Sequence, residues 1–117
     1  MIIVQARIPV LGDKRNVAYQ SIHEFVDRVR TEQGCLSCEA LVTLENPDVI
    51  VIQQAWRGAD DLNTHAGGPH LDAFLDALPQ FVDGEVSTLR YEAFAAEDAP
   101  DVELDADEEM AAPQGRS

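Results

Sequence analysis

The run Val49–Ile52 holds four consecutive β-branched apolar residues, and it constrains the fold of this chain more than any other segment. It follows the turn-forming segment NPD at 46–48 and predicts a strand that continues to Trp56. Successive side chains of a strand point to opposite faces of its sheet, so this run predicts that both faces are dry at this strand. The fold must therefore cover the sheet on both sides.

The other elements follow from the periodicity of the apolar residues. The predicted strands cover 1–8, 36–44, 49–56 and 86–94, with a loop at 9–15 and a hairpin turn at 45–48. A long amphipathic helix is predicted from Val17, and we expect it to end at Gln33-Gly34, with glycine at the C-terminal position.

A second helical region follows the third strand and is divided by Gly67-Gly68. Its first part, 60–65, begins with two aspartates, which a helix N-terminus favours. Its second part begins at Pro69, because proline fits the first helical position. The apolar residues of this second part recur with helical spacing at Leu71, Phe74, Leu75 and Leu78.

The resulting order, β-α-β-β-α-β, predicts an α+β fold of the ferredoxin-like type. Its simplest form is a four-stranded antiparallel sheet with both helical regions on one face. Since the helices can cover only that face, a second subunit is the natural cover for the other. We therefore expect a homodimer in which two sheets pack face to face.

Charge divides the chain into a domain predicted over 1–94 and an acidic tail over 95–117. The formal net charge is −14, and 8 of the 22 acidic residues lie in the tail. The tail has too little apolar area to offset its ordering entropy, so we expect disorder unless it docks on a partner subunit. The acidic body disfavours nucleic acid and anionic membrane surfaces as partners, and no apolar run has the length of a membrane span. These features predict a cytoplasmic protein.

Cys35 and Cys38 form a CxxC pair in a context that does not match a redox motif. The pair follows a helix and opens a strand, whereas thioredoxin-like proteins place it after a strand and at the start of a helix. Residues three apart in an extended strand point to opposite faces, and a zinc site would need two further ligands. We therefore expect two small apolar residues and no metal site.

The residues with chemical potential gather around the end of the third strand. Trp56 ends that strand, His65 lies on the first short helix and His70 begins the next, so we expect all three near the mouth of one pocket. Gln5 and Arg7 share one face of the first strand. Either could hold a substrate oxygen, or Arg7 could pair with a carboxylate across the sheet.

Several short motifs recur along the chain in a recognisable order: Gly34-Cys35 after the first helix, the strand end Gln54-Ala55-Trp56, then His65, and Pro69-His70 followed by Phe74. Together they resemble the antibiotic biosynthesis monooxygenase family, and the resemblance covers about residues 1–94. It implies a ferredoxin-like domain that dimerises into an α+β barrel.

Two departures from the family pattern are Gln54 in place of glutamate and Gly68 in place of serine. The haem-degrading branch of the family needs a histidine ligand where this chain has Leu75, and an asparagine where it has Ala6 or Arg7. Haem degradation is therefore disfavoured.

The resemblance implies a monooxygenase that uses neither metal nor flavin and oxidises a hydroxylated aromatic, such as a quinol or an anthrone, with molecular oxygen. A deprotonated substrate of this kind can reduce oxygen itself, so the protein need supply only a base and a dry pocket. His65 or His70 would be the base, because a neutral imidazole accepts protons near neutral pH. Trp56 would stack on the substrate or donate its indole hydrogen.

The residues expected to bind the substrate are Gln5, Arg7, Gln54 and Phe74. Each assignment has a structural alternative: Trp56 could belong to the core, and His65 and His70 could be satisfied helix histidines. The alternative function is a non-catalytic dimer of the same fold that binds a small ligand or assists another protein.

Overall fold

The computed structural model describes residues 1–94, and the predicted acidic tail, 95–117, lies outside the described residues. The strands are β1 Ile2–Pro9, β2 Cys35–Val42, β3 Val49–Trp56 and β4 Ser87–Glu92. The helices are α1 Arg15–Val29, α2 Ala59–Ala66 and α3 Pro69–Ala77, with single 3-10 turns at Gly12–Lys14 and Leu78–Gln80.

The four strands form one antiparallel sheet in the order β2-β3-β1-β4. The central strand β1 pairs with β3 from Ile2 opposite Trp56 to Pro9 opposite Val49, and with β4 on its other side. The break at Gly67-Gly68 separates α2 from α3, as the glycine pair predicts. The predicted α+β, ferredoxin-like fold is therefore confirmed.

The pairing register assigns each strand residue to one of two faces. Even-numbered residues of β1 and β3 face the helices, and the largest of them, Ile8, Ile50, Ile52 and Trp56, are fully buried against α1 and its neighbours. Odd-numbered residues form the open face, which no helix of residues 1–94 covers. Its apolar members include Ile3, Leu41, Val51, Ala55, Leu89 and Tyr91.

The end of α1 differs from the prediction. The helix ends at Val29, and the chain then turns through hydrogen bonds such as Glu32 N–H to Val29 O at 3.0 Å. Gly34 therefore does not cap the helix; it lies in the turn before β2 with φ +83°. A Cβ at this position would lie 2.2 Å from the carboxyl group of Asp61 on α2, so glycine is needed where the turn meets α2.

The two cysteines do not point to opposite faces as an extended strand predicts, because β2 carries a bulge between Cys35 and Ser37. Cys35 lies opposite Trp56 and Cys38 lies opposite Gln54, so the bulge turns both thiols to the helix-facing side. Burial raises the pKa of the Cys38 thiol to about 12, and burial also raises the pKa of Cys35. Both thiols stay protonated at neutral pH and pack as small apolar groups.

No helix within residues 1–94 combines the length and apolarity that crossing a membrane requires.

Replacing Gly34 by alanine tests the role of the turn. An L-residue at positive φ costs about 1 kcal/mol, and the overlap with Asp61 should bring the total loss in unfolding free energy to at least about 2 kcal/mol. Urea titration measures this loss. Gly84→Ala is the matched control, because Gly84 has φ +100° but open space around it, so it reports the backbone cost alone. Equal losses in the two variants would mean that Gly34 does not pack tightly against α2.

Candidate active site

A cavity of about 440 Å³ lies between the helix-facing side of the sheet and the helices α2 and α3. Its lining is mostly apolar and includes Ala6, Ile52, Leu62, Leu71, Phe74 and Val86. The polar side chains that reach it are Gln54, Asn63, His65, Thr88 and Arg90. A cavity of this size, apolar with a few convergent polar groups, is typical of a small-molecule site.

His65 reaches the cavity because of its position on α2. The helix begins at Ala59 with Asp60 and Asp61 in its first turn, and its two buried residues, Leu62 and His65, are three apart and therefore lie on one face. That face packs on the sheet. His65 is only 5% exposed, so α2 delivers an ionisable side chain into an otherwise apolar wall.

The imidazole of His65 is held by a carboxylate from the turn after α1. Its Nδ1 lies 2.9 Å from Oε1 of Glu32, and the other carboxylate oxygen, Oε2, lies 2.8 Å from Nδ1 of His70. An ionised carboxylate only accepts hydrogen bonds, so in neutral His65 the proton sits on Nδ1 and Nε2 keeps its lone pair. No side chain of residues 1–94 hydrogen-bonds to that Nε2.

Trp56 supports this imidazole from below and has no exposed surface. Its ring centroid lies 4.8 Å from that of His65, and its indole Nε1–H donates to Oε1 of Gln54 at 2.8 Å. Trp56 does not line the cavity, whereas Gln54 and His65 do. The indole N–H already donates to Gln54. Trp56 therefore affects the cavity only by positioning Gln54 and His65.

The far wall of the cavity is aromatic. Phe74 of α3 stacks on Phe25 of α1, with ring centroids 4.3 Å apart, and both rings line the cavity. Gln54 and Phe74, which the sequence predicts to bind the substrate, thus line the same cavity as His65.

The other predicted site residues lie elsewhere. Gln5 and Arg7 belong to the open face of the sheet, where Gln5 donates a hydrogen bond to the side chain of Gln53, so the sheet itself separates them from the cavity. His70 lies outside the cavity lining, at a shallower recess beside Glu32 and Pro69.

The sequence does not predict four residues of the site, which are Glu32, Asn63, Thr88 and Arg90. Alternation along β4 does place Thr88 and Arg90 on one face, which was the available signal, but only the pairing with β1 identifies that face as the inner one. Glu32 carries no local signal, because its partners lie 33 and 38 residues away in the sequence.

Arg90 is the only side chain with a fixed charge among the cavity-lining residues of the described chain. The cavity therefore combines one guanidinium and one imidazole with no carboxylate among its lining residues, which favours a ligand that carries or develops negative charge. Within residues 1–94, no three His, Cys, Asp or Glu side chains are arranged to hold a metal ion.

The chain was compared with known proteins. A family model described as antibiotic biosynthesis monooxygenase matches residues 1–77, and no curated protein matches the sequence. The fold is similar to the crystal structure of an antibiotic biosynthesis monooxygenase (18% identity, 81% of this chain and 100% of that one, TM-score 0.74). It is also similar to a protein from Deinococcus radiodurans (22%, 82% and 95%, 0.76) and a conserved protein from Methanosarcina mazei (22%, 77% and 89%, 0.73). At these identities the structural matches establish the fold alone.

The hydrogen bond between Trp56 and Gln54 yields a prediction on stability. Trp56→Phe should lower the free energy of unfolding by about 1–3 kcal/mol from the unsatisfied amide oxygen, beyond the loss of packed volume. Gln54→Leu should be costly for the same reason, since it leaves the indole N–H unpaired. The double variant removes both partners and should lose less than the sum of the two, in urea titrations. Losses that add to within about 0.3 kcal/mol would contradict the bond.

Proposed function

The chain belongs to the antibiotic biosynthesis monooxygenase family, and we propose that it is a cofactor-independent monooxygenase that oxidises a hydroxylated aromatic, of the quinol or anthrone type, with molecular oxygen. The observation that carries this proposal is the placement of His65 in the wall of a largely apolar cavity, with no side chain of residues 1–94 hydrogen-bonded to its Nε2. A base in a dry pocket is what this chemistry requires of a protein.

The reaction begins with proton transfer from the substrate to Nε2 of His65. For an anthrone-type methylene group the overall change is R₂CH₂ + O₂ → R₂C=O + H₂O, so one oxygen atom enters the substrate and the other leaves as water. The substrate supplies the electrons, and no external reductant is needed. Removal of the proton produces an electron-rich anion that transfers an electron to oxygen, and the two then combine as a peroxide that loses water.

The polar lining of the cavity supports the anionic stage. Thr88 and Arg90 enter from β4 and Gln54 from β3, and they provide a hydroxyl, a guanidinium and an amide for the oxygen atoms of the substrate. A fixed cation beside the substrate stabilises a developing oxyanion by direct charge attraction, and Arg90 can supply it from β4. The stacked rings of Phe25 and Phe74 offer flat apolar surface to an aromatic body.

In this proposal Trp56 acts without touching the substrate: it orients Gln54 by its hydrogen bond and His65 by ring contact. Gln5 and Arg7 lie across the sheet, so a substrate in the cavity does not meet them. For a substrate in this cavity we propose Thr88 and Arg90 as binding residues.

We also propose the homodimer, with the open face of the sheet as its interface. Leu89 is 61% exposed on this face, and Leu41 and Tyr91 are nearly half exposed. Exposed apolar side chains on a sheet face that no helix of residues 1–94 covers favour association with a second copy. A cytoplasmic location stays a prediction from composition.

His65→Ala tests the catalytic assignment. Loss of the base should lower turnover by roughly a hundredfold or more, measured as oxygen uptake with a panel of quinols and anthrones. His23→Ala is the control, because His23 lies on the exposed side of α1 and should leave turnover unchanged. Full activity in His65→Ala would exclude His65 as the base. If the wild type consumes no oxygen with any of these substrates but the fluorescence of Trp56 responds to them, the non-catalytic binding function is the better description.

The dimer is tested by a charge on the open face. Leu89→Asp should convert the full chain to a monomer at micromolar concentration, because a carboxylate buried in the proposed interface would lose its hydration, and sedimentation velocity measures the change. Leu44→Asp is the matched control: Leu44 is 97% exposed at the β2–β3 hairpin and outside the open face. A wild-type monomer would contradict the proposal directly.

A further inference from the structure

Two histidines from different helices meet on one carboxylate. Glu32 offers Oε1 to Nδ1 of His65 at 2.9 Å and Oε2 to Nδ1 of His70 at 2.8 Å. We call these three residues the Glu32 clamp. His65 is buried within the cavity wall, Glu32 is mostly buried, and the side chain of His70 is one third exposed.

We propose that Glu32 and His70 are positioning residues for His65. Glu32 selects the Nδ1–H tautomer of His65 and so directs the Nε2 lone pair to the cavity, while His70 holds the second carboxylate oxygen and keeps Glu32 in place. This inference rests on the proposed function, in which His65 is the base. It gives His70 a different role from the candidate base expected from the sequence.

The selection follows from hydrogen-bonding chemistry. A neutral imidazole carries one N–H, on either nitrogen, and both forms are accessible when nothing distinguishes them. A carboxylate has only acceptors, so each of its oxygens stabilises the tautomer that presents a donor to it. With Nδ1–H turned to Glu32, the second ring nitrogen of His65 can accept a proton. The opposite tautomer would present an N–H to the substrate and could not act as a base.

The backbone on either side of Glu32 is anchored by hydrogen bonds, which fixes the position of its Cα but not of its carboxylate. Glu32 N–H donates to Val29 O at 3.0 Å, and Glu32 O accepts from Cys35 N–H at 3.2 Å. The next link is Gly34 O, which accepts from Arg57 N–H at 2.8 Å and ties the turn to the start of α2. The side chain of glutamate nevertheless has three rotatable bonds, and a single contact to His65 would leave the second oxygen free to swing.

His70 supplies the missing restraint. It lies in the first turn of α3, next to Pro69, whose ring fixes the backbone there, and its Nδ1 contacts the carboxylate oxygen of Glu32 that His65 does not use. Because His70 is outside the cavity lining, it reaches the substrate only through Glu32 and His65.

Side-chain ¹H–¹⁵N NMR of the full chain, labelled with ¹⁵N, tests the clamp without any substrate. In the wild type, His65 and His70 should both show the Nδ1–H tautomer. In Glu32→Gln the amide offers one acceptor and one donor, so at least one of the two histidines must change to the Nε2–H tautomer. His23 is an internal control and should be unchanged, since its partner is Asp27. Unchanged tautomers at both positions in Glu32→Gln would overturn the proposal.

His70→Ala tests the second half of the clamp and also serves if Glu32→Gln fails to fold. His65 should keep its Nδ1–H tautomer, but that proton should exchange with solvent at least about tenfold faster, because Glu32 is less restrained and more exposed. An unchanged exchange rate would overturn the role of His70.

The kcat values of a single and a double variant distinguish a positioning role from general destabilisation, because the two explanations predict changes in opposite directions. Glu32→Gln should lower kcat by about tenfold or more, since His65 can then adopt the tautomer that does not accept a proton from the substrate. KM should change little, because the cavity is intact. In Glu32→Gln/His70→Ala the amide oxygen no longer has to choose between two histidines, so it can turn to His65 and kcat should partly recover. A double variant slower than Glu32→Gln would overturn the positioning role. If no substrate is turned over, the proposed function fails, and the NMR experiment still decides the clamp.

Discussion

The antiparallel register of β1 against β3 is the constraint on which the rest of this structure depends. It places Ile2 opposite Trp56 and Ile8 opposite Ile50, so the large even-numbered side chains of both strands face the helices together. A slip of one residue would move this entire set to the open face. The core, the cavity and the open face are consequences of that one alignment.

The cavity arises where this aligned face is not filled. The middle of β1 contributes Val4 and Ala6, and β4 contributes Thr88, so small or polar side chains lie under α2 and α3. Close packing elsewhere makes such a void costly unless something occupies it. The unfilled part of this face thus forms the candidate binding site.

Turn, core and site are joined through short contacts. Gly34 lets the chain pass close to Asp61 of α2, and two residues earlier Glu32 reaches His65 of the same helix. On the other side of that imidazole, Trp56 fills the core and directs Gln54 to the cavity. The polar groups of the site are therefore held by the residues that stabilise the fold, which is the arrangement that precise orientation requires.

The amino-acid sequence by itself determined the strands, the split between α2 and α3 and the family, because period-2 and period-3.6 patterns and the Gly67-Gly68 break are local properties. It also led to His65, Gln54 and Phe74 through the family motifs. Only the tertiary structure decided that Gln5 and Arg7 lie away from the cavity, that Thr88 and Arg90 line it, and that Glu32 joins two histidines. The physical reason is that periodicity assigns residues to a face of their own element, whereas the neighbour of that face depends on pairing between segments far apart in the chain.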